Sequence, residues 1–254
     1  MADRSSSISV GAIRLTNIAK EHLLPRGGRL RVLENISFEA WDHSFTSILG
    51  PSGCGKSTIL NLIAGLDNHS SGQISIDGNR IGFVFQQPRL LNWRTVADNV
   101  ILPLEQHNFE KNAMRHIAQK YLALVGLTGY EGYYPLQLSG GMQQRVAIAR
   151  ALSIDPDILL MDEPFSGLDE ITARKLRQEL IRIWQETGKT ILFVTHSISE
   201  SVFLSQQILI VSAKPATIFK RLTIDVPYPR EYGDLRLFEI ETSLTRDFLG
   251  MDEA

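Results

Sequence analysis

Residues 50–58 read GPSGCGKST, set between a short apolar run, FTSILG (45–50), and a helically spaced stretch, STILNLIAGL (57–66). No other feature limits the fold as tightly. A turn of the form G-x-x-x-x-G-K-[ST] between a strand and a helix can curl until successive backbone N–H groups converge on one anion. The helix that follows adds the positive end of its dipole. Gly50, Gly55, Lys56 and Ser57 hold the defining positions, and Pro51, Ser52, Gly53, Cys54 and Thr58 complete the cradle. Lys56 is expected to reach the β and γ phosphates of a nucleotide, and the Ser57 hydroxyl to ligate Mg²⁺. At average residue usage such a match arises by accident in roughly one chain in a hundred of this size. The strand before it and the helix after it reduce that chance further.

The rest of the chain is organised around this turn. IRLTNIA (13–19) and VLENISFEA (32–40) alternate as half-buried strands, with KEHLLPRGGRLR between them as a basic loop. GQISIDG (72–78) and IGFVFQQ (81–87) are short strands. In the helix after the cradle, Leu60, Ile63 and Ala64 share one face. From residue 92 to 153 the period becomes helical, with Met114, Ile117, Tyr121 and Leu124 in one stripe and Gly126 as a stop. DILLMDEP (157–164) is a nearly unbroken apolar run, as expected of a strand buried on both faces of a parallel sheet. ARKLRQELIRIWQETG (173–188) is an amphipathic helix with Leu176, Leu180 and Ile183 inward and Gly188 as its stop. TILFVTH (190–196) and QQILIVSA (206–213) are further buried strands. This alternation predicts an α/β fold around a parallel sheet. A small β hairpin and a charged helical tail are expected over 216–254, and a flexible N-terminus over 1–11.

Two further features bear on chemistry. LSGGMQQRVAIAR (138–150) places two glycines at the start of a second helical pattern, a second seat for an anion formed by Ser139, Gly140 and Gly141. Asp162 and Glu163 end the apolar strand, at the edge where open parallel sheets bind ligands. Neighbouring strand residues point in different directions, so the two acids can divide the work. Asp162 is suited to hold Mg²⁺ and Glu163 to polarise an attacking water as general base. His196 ends another buried strand at the same edge, where it can approach the γ-phosphate. Gln86 follows a strand and can offer its side-chain oxygen to the metal or to the water.

Composition narrows the class. The net charge of −2 supplies no electrostatic motive for binding nucleic acid, and the lone Cys54 excludes an intrachain disulfide. No apolar run approaches the roughly 18 residues of a membrane span, so any work at a membrane is done from its side, through a partner. The absence of an N-K-x-D sequence weighs against a GTPase.

Taken in order, GPSGCGKST, Gln86 in FVFQQ, LSGGM, ILLMDEP, SGLD (166–169) and His196 resemble the nucleotide-binding subunit of ABC transporters over roughly residues 12–215. The correspondence is with the Walker A, Q-loop, signature, Walker B, D-loop and H-loop motifs of that family. It implies a P-loop NTPase core with an N-terminal antiparallel β subdomain and a helical subdomain at 92–153. It implies ATP and Mg²⁺ as ligands, with Ser57, Gln86 and Asp162 on the metal and Glu163, His196 and Gln86 in catalysis. It also implies that two copies pack head to tail, so that Ser139, Gly140 and Gly141 of one reach the γ-phosphate held by Lys56 of the other, with Asp169 across the interface. The adenine-stacking position falls at about His22.

Met142, where much of the family has Gln, together with RLLNWRTVADNV (89–100), YPLQLSGGM (134–142), MDEPFSGLDEIT (161–172) and VTHSISESVFLS (194–205), is similar to the nitrate, sulfonate and taurine importer group. The resemblance implies transmembrane permease subunits, an extracytoplasmic solute-binding protein and a peripheral position on the cytoplasmic face of the cell membrane. Leu91, Trp93 and Val96 are expected to line the groove that receives the permease. The alternative is an ABC-type ATPase that acts on nucleic acid or ribosomes without a permease. Such proteins usually carry a long coiled-coil insert or two cassettes, and neither is present.

Overall fold

Nine strands sort into two sheets in the computed structural model, which describes residues 11–24, 27–106 and 110–251. The expectation for the first ten residues lies outside the described residues; Gly11 already belongs to a strand. β1 (Gly11–Leu23), β2 (Arg29–Trp41) and β4 (Ser71–Ile76) form an antiparallel sheet in the order β2-β1-β4. β1 and β2 are longer than alternation alone suggested. The basic segment expected as a loop contributes both strand tips, with Glu21, His22 and Leu23 opposite Arg31, Leu30 and Arg29. The reason is charge pairing across the strands: Arg31 donates to Glu21 at 2.9 and 3.0 Å, and Arg29 at 3.3 Å.

The second sheet has the order β5-β6-β7-β3-β8-β9. It comprises β3 (Phe45–Leu49), β5 (Ile81–Val84), β6 (Ile158–Asp162), β7 (Thr190–Thr195), β8 (Gln207–Val211) and β9 (Ile218–Thr223). All its pairs are parallel except β8–β9. The apolar run in β6 faces two cores. Ile158 and Leu160 join Ile48, Leu192 and Leu209 under the antiparallel sheet and α1 (Lys56–Ile63). Leu159 and Met161 join Phe45 and Phe193 on the other face, against α5 (Glu170–Thr187) and α6 (Ile198–Leu204). Gly188 ends α5 in the left-handed region, its N–H donating to the Trp184 carbonyl at 2.8 Å.

α2 (Val96–Ile101), α3 (Lys111–Leu124) and α4 (Gly140–Ser153) form the helical layer. On α3 the buried face is Ala118, Tyr121 and Leu122, while Met114, Ile117 and Leu124 are only partly covered. Of the expected stripe, Tyr121 lies in that face and the other three residues pack at its flank. Ala118 is fully buried, and its small side chain carries little weight in a periodicity of large apolar residues.

The C-terminal hairpin is not a separate unit: its first strand is β8, inside the core sheet. Beyond it, α7 (Leu235–Met251) packs on α6 with Leu237 and Leu244 buried. Arg230 fixes this segment. Its buried guanidinium donates to the carbonyls of Val226, Val202, Phe203 and Ser205 at 2.8 to 3.2 Å. Replacing it leaves several buried carbonyls without a donor. We expect Arg230→Leu to lower unfolding stability by about 3 kcal/mol in chemical denaturation. An unchanged midpoint would show that the tail is held by other contacts.

Candidate nucleotide-binding site

The strand order β6-β7-β3 places the C-terminal ends of three strands side by side, with Asp162 opposite Val194 and Leu49 opposite Thr195. The chain leaves those ends at Gly50, Glu163 and His196. This is the point where the order of strands reverses, and ligands of open α/β sheets bind there.

The cradle follows β3 directly. Gly55, the N-cap of α1, has φ 123°, a conformation L side chains rarely adopt. A Cβ on Gly50 would lie 2.5 Å from the Val211 side chain, so the loop runs flush against β8. Cys54 is buried, and burial pushes its thiol up, so it acts as a packing residue of the loop. The Lys56 ammonium donates to the carbonyls of Gly50 and Pro51, both at 2.9 Å, and lies 3.5 Å from Glu163 Oε1. Its side chain is only 4% exposed, which makes it a buried positive charge at the mouth of a helix N-terminus.

Glu163 leaves β6 with φ 40°, in the left-handed region, while its N–H still donates to Val194 at 2.9 Å. That turn carries its carboxylate away from the Asp162 direction. The imidazole N–H of His196, at Nδ1, donates to Glu163 Oε2 at 2.9 Å. Asp162 accepts from the Ser57 hydroxyl at 3.0 Å. Burial raises the Asp162 carboxyl above its ordinary value, the Ser57 bond pulls it back, and the neighbouring Glu163 raises it again. Gln86 donates from its amide nitrogen to the Ser166 hydroxyl at 3.3 Å, which leaves its oxygen available.

Ser52, Gly53, Gly55, Lys56, Ser57 and Thr58 share one cavity of about 390 Å³ with Gln86 and Glu163. His22, Leu30 and Val32 line the same cavity. Lys214 also lines it. The sequence reading did not single out Lys214, a lysine in the β8–β9 turn with no motif around it. The turn is tied to the cavity wall, since the Ala216 N–H donates to Val32 at 2.9 Å.

Ser139, Gly140, Gly141 and Asp169 do not reach this cavity. Ser139 caps α4, accepting from the Met142 N–H at 3.3 Å, and Ser139 and Gly140 are exposed. A Cβ on Gly141 would lie 2.7 Å from the Thr172 side chain, so this helix start is pressed against α5. Asp169 caps α5, accepting from the Thr172 N–H at 3.0 Å. The helix start at Ser139–Gly141 is thus no part of the wall around Lys56.

A separate groove of about 550 Å³ runs between the end of β5 and the helical layer, lined by Phe83, Phe85, Arg89, Leu102, Pro103 and Arg150. The expected lining residues are not among them. Val96 is fully buried in the core, Trp93 projects with 74% exposure, and Leu91 is held by Asn99, whose side-chain oxygen accepts from its N–H at 2.8 Å. Arg150 ties the loop after Gln86 to α4, donating to the carbonyls of Arg89 and Pro88 at 2.9 and 2.7 Å.

The ABC transporter family model matches residues 33–166. An uncharacterized ABC transporter ATP-binding protein of Methanocaldococcus jannaschii is 46% identical over 220 residues, 84% of this chain and 82% of that protein. An aliphatic sulfonates import ATP-binding protein of Bacillus cereus is 42% identical over 239 residues, 91% of this chain and 94% of its own. A taurine import ATP-binding protein of Rhizobium johnstonii is 44% identical over 218 residues, 83% of each chain. Among solved structures, a dimeric bacterial ABC transporter cassette superposes with a TM-score of 0.76 at 34% identity, covering 85% of this chain and all of that one. A dimeric post-hydrolysis state of an ATP-binding cassette, bound to ADP and Pi, gives 0.75 at 33% with the same coverage. Motif order, cradle geometry and these likenesses converge: this chain belongs to the ABC transporter family.

Proposed function

We propose that the chain is the ATP-hydrolysing subunit of a membrane importer for a small anionic or organic solute of the nitrate, sulfonate or taurine kind. The observation that carries the catalytic part is Glu163, set between the Lys56 ammonium and the His196 imidazole inside the cradle's own cavity. Lys56 and the N–H groups of residues 53–58 bind the phosphates. Glu163 accepts the proton of the attacking water, and His196 holds that carboxylate in place. Ser57, Asp162 and Gln86 present hard oxygen donors that suit Mg²⁺, and a cation beside it would favour the ionised form of the buried Asp162. Bound there, Mg²⁺ would offset phosphate charge. His22, Leu30 and Val32 receive the base.

The exposed Ser139–Gly141 edge supports a paired arrangement. It is a helix N-terminus that does not line its own chain's cavity, and both solved relatives are dimeric. Two copies placed head to tail give each cavity a second set of N–H donors, with Asp169 near the junction. Closure then depends on the triphosphate, and hydrolysis loosens it. The importer assignment rests on the sulfonate and taurine relatives.

No helix among the described residues is long and apolar enough to cross a membrane. Transport therefore requires permease subunits, which we place on the groove at Phe83, Phe85 and Arg89, on the cytoplasmic side, with a solute-binding protein supplying the cargo from outside. Co-expression with permease subunits of the sulfonate and taurine importer kind tests the reading. The expected result is a stable complex whose ATP turnover rises when the loaded binding protein is added. Turnover that ignores permease and binding protein, or that responds to nucleic acid, would contradict it.

A further inference from the structure

One buried guanidinium joins the segment after Glu163, the start of α5, the turn holding His196 and the C-terminal segment. The Arg177 side chain is 4% exposed. Its Nη2 donates to Glu170 Oε2 at 3.1 Å, and its Nη1 to the Tyr232 hydroxyl at 3.2 Å. Its Nε is buried without a hydrogen-bond partner and lies 3.7 Å from Glu200 Oε1. Its guanidinium carbon is 6.0 Å from the centre of the Phe165 ring. Phe165 is two residues after Glu163, and Glu170 directly follows Asp169.

Glu200 carries the contact onward. Its Oε2 accepts from the Thr195 hydroxyl at 2.6 Å, and the Thr195 oxygen accepts from the Ser197 N–H at 3.0 Å. Those bonds clamp the residues on either side of His196. Burial pushes the Glu200 carboxyl above its ordinary value; the Thr195 hydroxyl and the Arg177 charge pull it back. Tyr232 is itself fixed, stacked on Phe203 with ring centres 4.1 Å apart and covered by the Arg174 guanidinium at 4.6 Å. Arg177 borders two cavities: one of about 240 Å³ that also holds Glu163 and His196, and one of about 350 Å³ beneath the C-terminal segment.

We propose that Arg177 is a positioning residue for ATP hydrolysis: through Glu200 and Thr195 it holds the turn that aims His196 at Glu163, and Tyr232 of the C-terminal segment holds Arg177. The C-terminal segment therefore sets the rate of turnover without touching the nucleotide. An Arg side chain in a fixed fork can serve four segments at once, which Lys or an apolar residue cannot. A small misplacement of a catalytic pair is enough to cost one to two orders of magnitude in rate. The inference rests on the roles proposed above for Glu163 and His196.

The test is a double-mutant cycle on the purified full chain with ATP and Mg²⁺, reading kcat, KM and the melting midpoint. Arg177→Met is expected to lower kcat about ten- to hundredfold with KM within about twofold. Arg177→Lys, which keeps the charge, should recover part of the loss. Tyr232→Phe removes one hydroxyl and should lower kcat about threefold with little change in melting; it carries the cycle if Arg177→Met fails to fold. In a His196→Ala background each substitution should change kcat by less than about twofold, because the residue they position is gone. Equal losses in both backgrounds would show a general structural effect and overturn the proposal. Normal turnover in the Arg177 and Tyr232 variants beside a slow His196→Ala would remove the relay and leave the site reading intact. Full turnover in His196→Ala would remove the reading of the site, and the relay with it.

Discussion

Glu163→Gln should reduce ATP turnover by two to four orders of magnitude, the range over which a general base contributes, while leaving nucleotide binding intact. The amide has the size of the carboxylate, and its one oxygen can still accept from Lys56 or His196, but it cannot take a proton. The left-handed backbone at Glu163 places the side chain regardless of its charge, so the cavity keeps its shape. With hydrolysis blocked, the triphosphate persists, and so should the pairing of two copies around it. Steady-state turnover and light scattering with ATP and Mg²⁺ read both effects. Unchanged turnover would remove Glu163 as the base. A variant that binds ATP and stays monomeric would count against the composite site.

Lys56→Ala acts on a different step. Its ammonium is buried, already faces two carbonyls of the cradle, and is the strongest positive group at the phosphate end. A hydrogen bond to a charged group contributes about 1.5–3 kcal/mol. Losing one such bond corresponds to a fall in ATP affinity of about ten- to hundredfold. The substitution also takes the ammonium donor away from the Gly50 and Pro51 carbonyls. Titration calorimetry with ATP measures this directly. Equal affinities for the two proteins would mean that the phosphates bind elsewhere. The contrast with Glu163→Gln is diagnostic: one variant should bind normally and not turn over, the other should bind about ten- to hundredfold more weakly.

What could be read from the sequence were features written into a few consecutive residues. The cradle is such a feature, because a glycine turn between strand and helix has few other solutions. The double burial of β6 is another, because an unbroken apolar run leaves no polar face. The α5 stop at Gly188 followed from local backbone geometry. Features that depend on distant partners were not legible. The tips of β1 and β2 are held by Glu21, eight and ten residues from Arg29 and Arg31, and basic composition alone suggested a loop there. Val96 was expected in a groove and is in the core because its N–H and helix are docked on the segment carrying Tyr133. Arg177 looks like any charge on an amphipathic helix; its burial depends on Tyr232, 55 residues later. Within the site, Asp162, Glu163 and Ser57 converge as their motifs required, whereas Lys214 arrives from a turn without a motif.

The central claim is that each cavity is completed by a second copy of the chain, since Ser139, Gly140 and Asp169 do not line the cavity of their own Lys56. The most direct measurement is a crystal structure of the Glu163→Gln protein with saturating ATP and Mg²⁺. The account predicts two copies head to tail, with the Ser139 hydroxyl and the Gly141 N–H of each within about 3.2 Å of the γ-phosphate held by the other. A nucleotide bound at Lys56 with no Ser139–Gly141 edge beside it would contradict it.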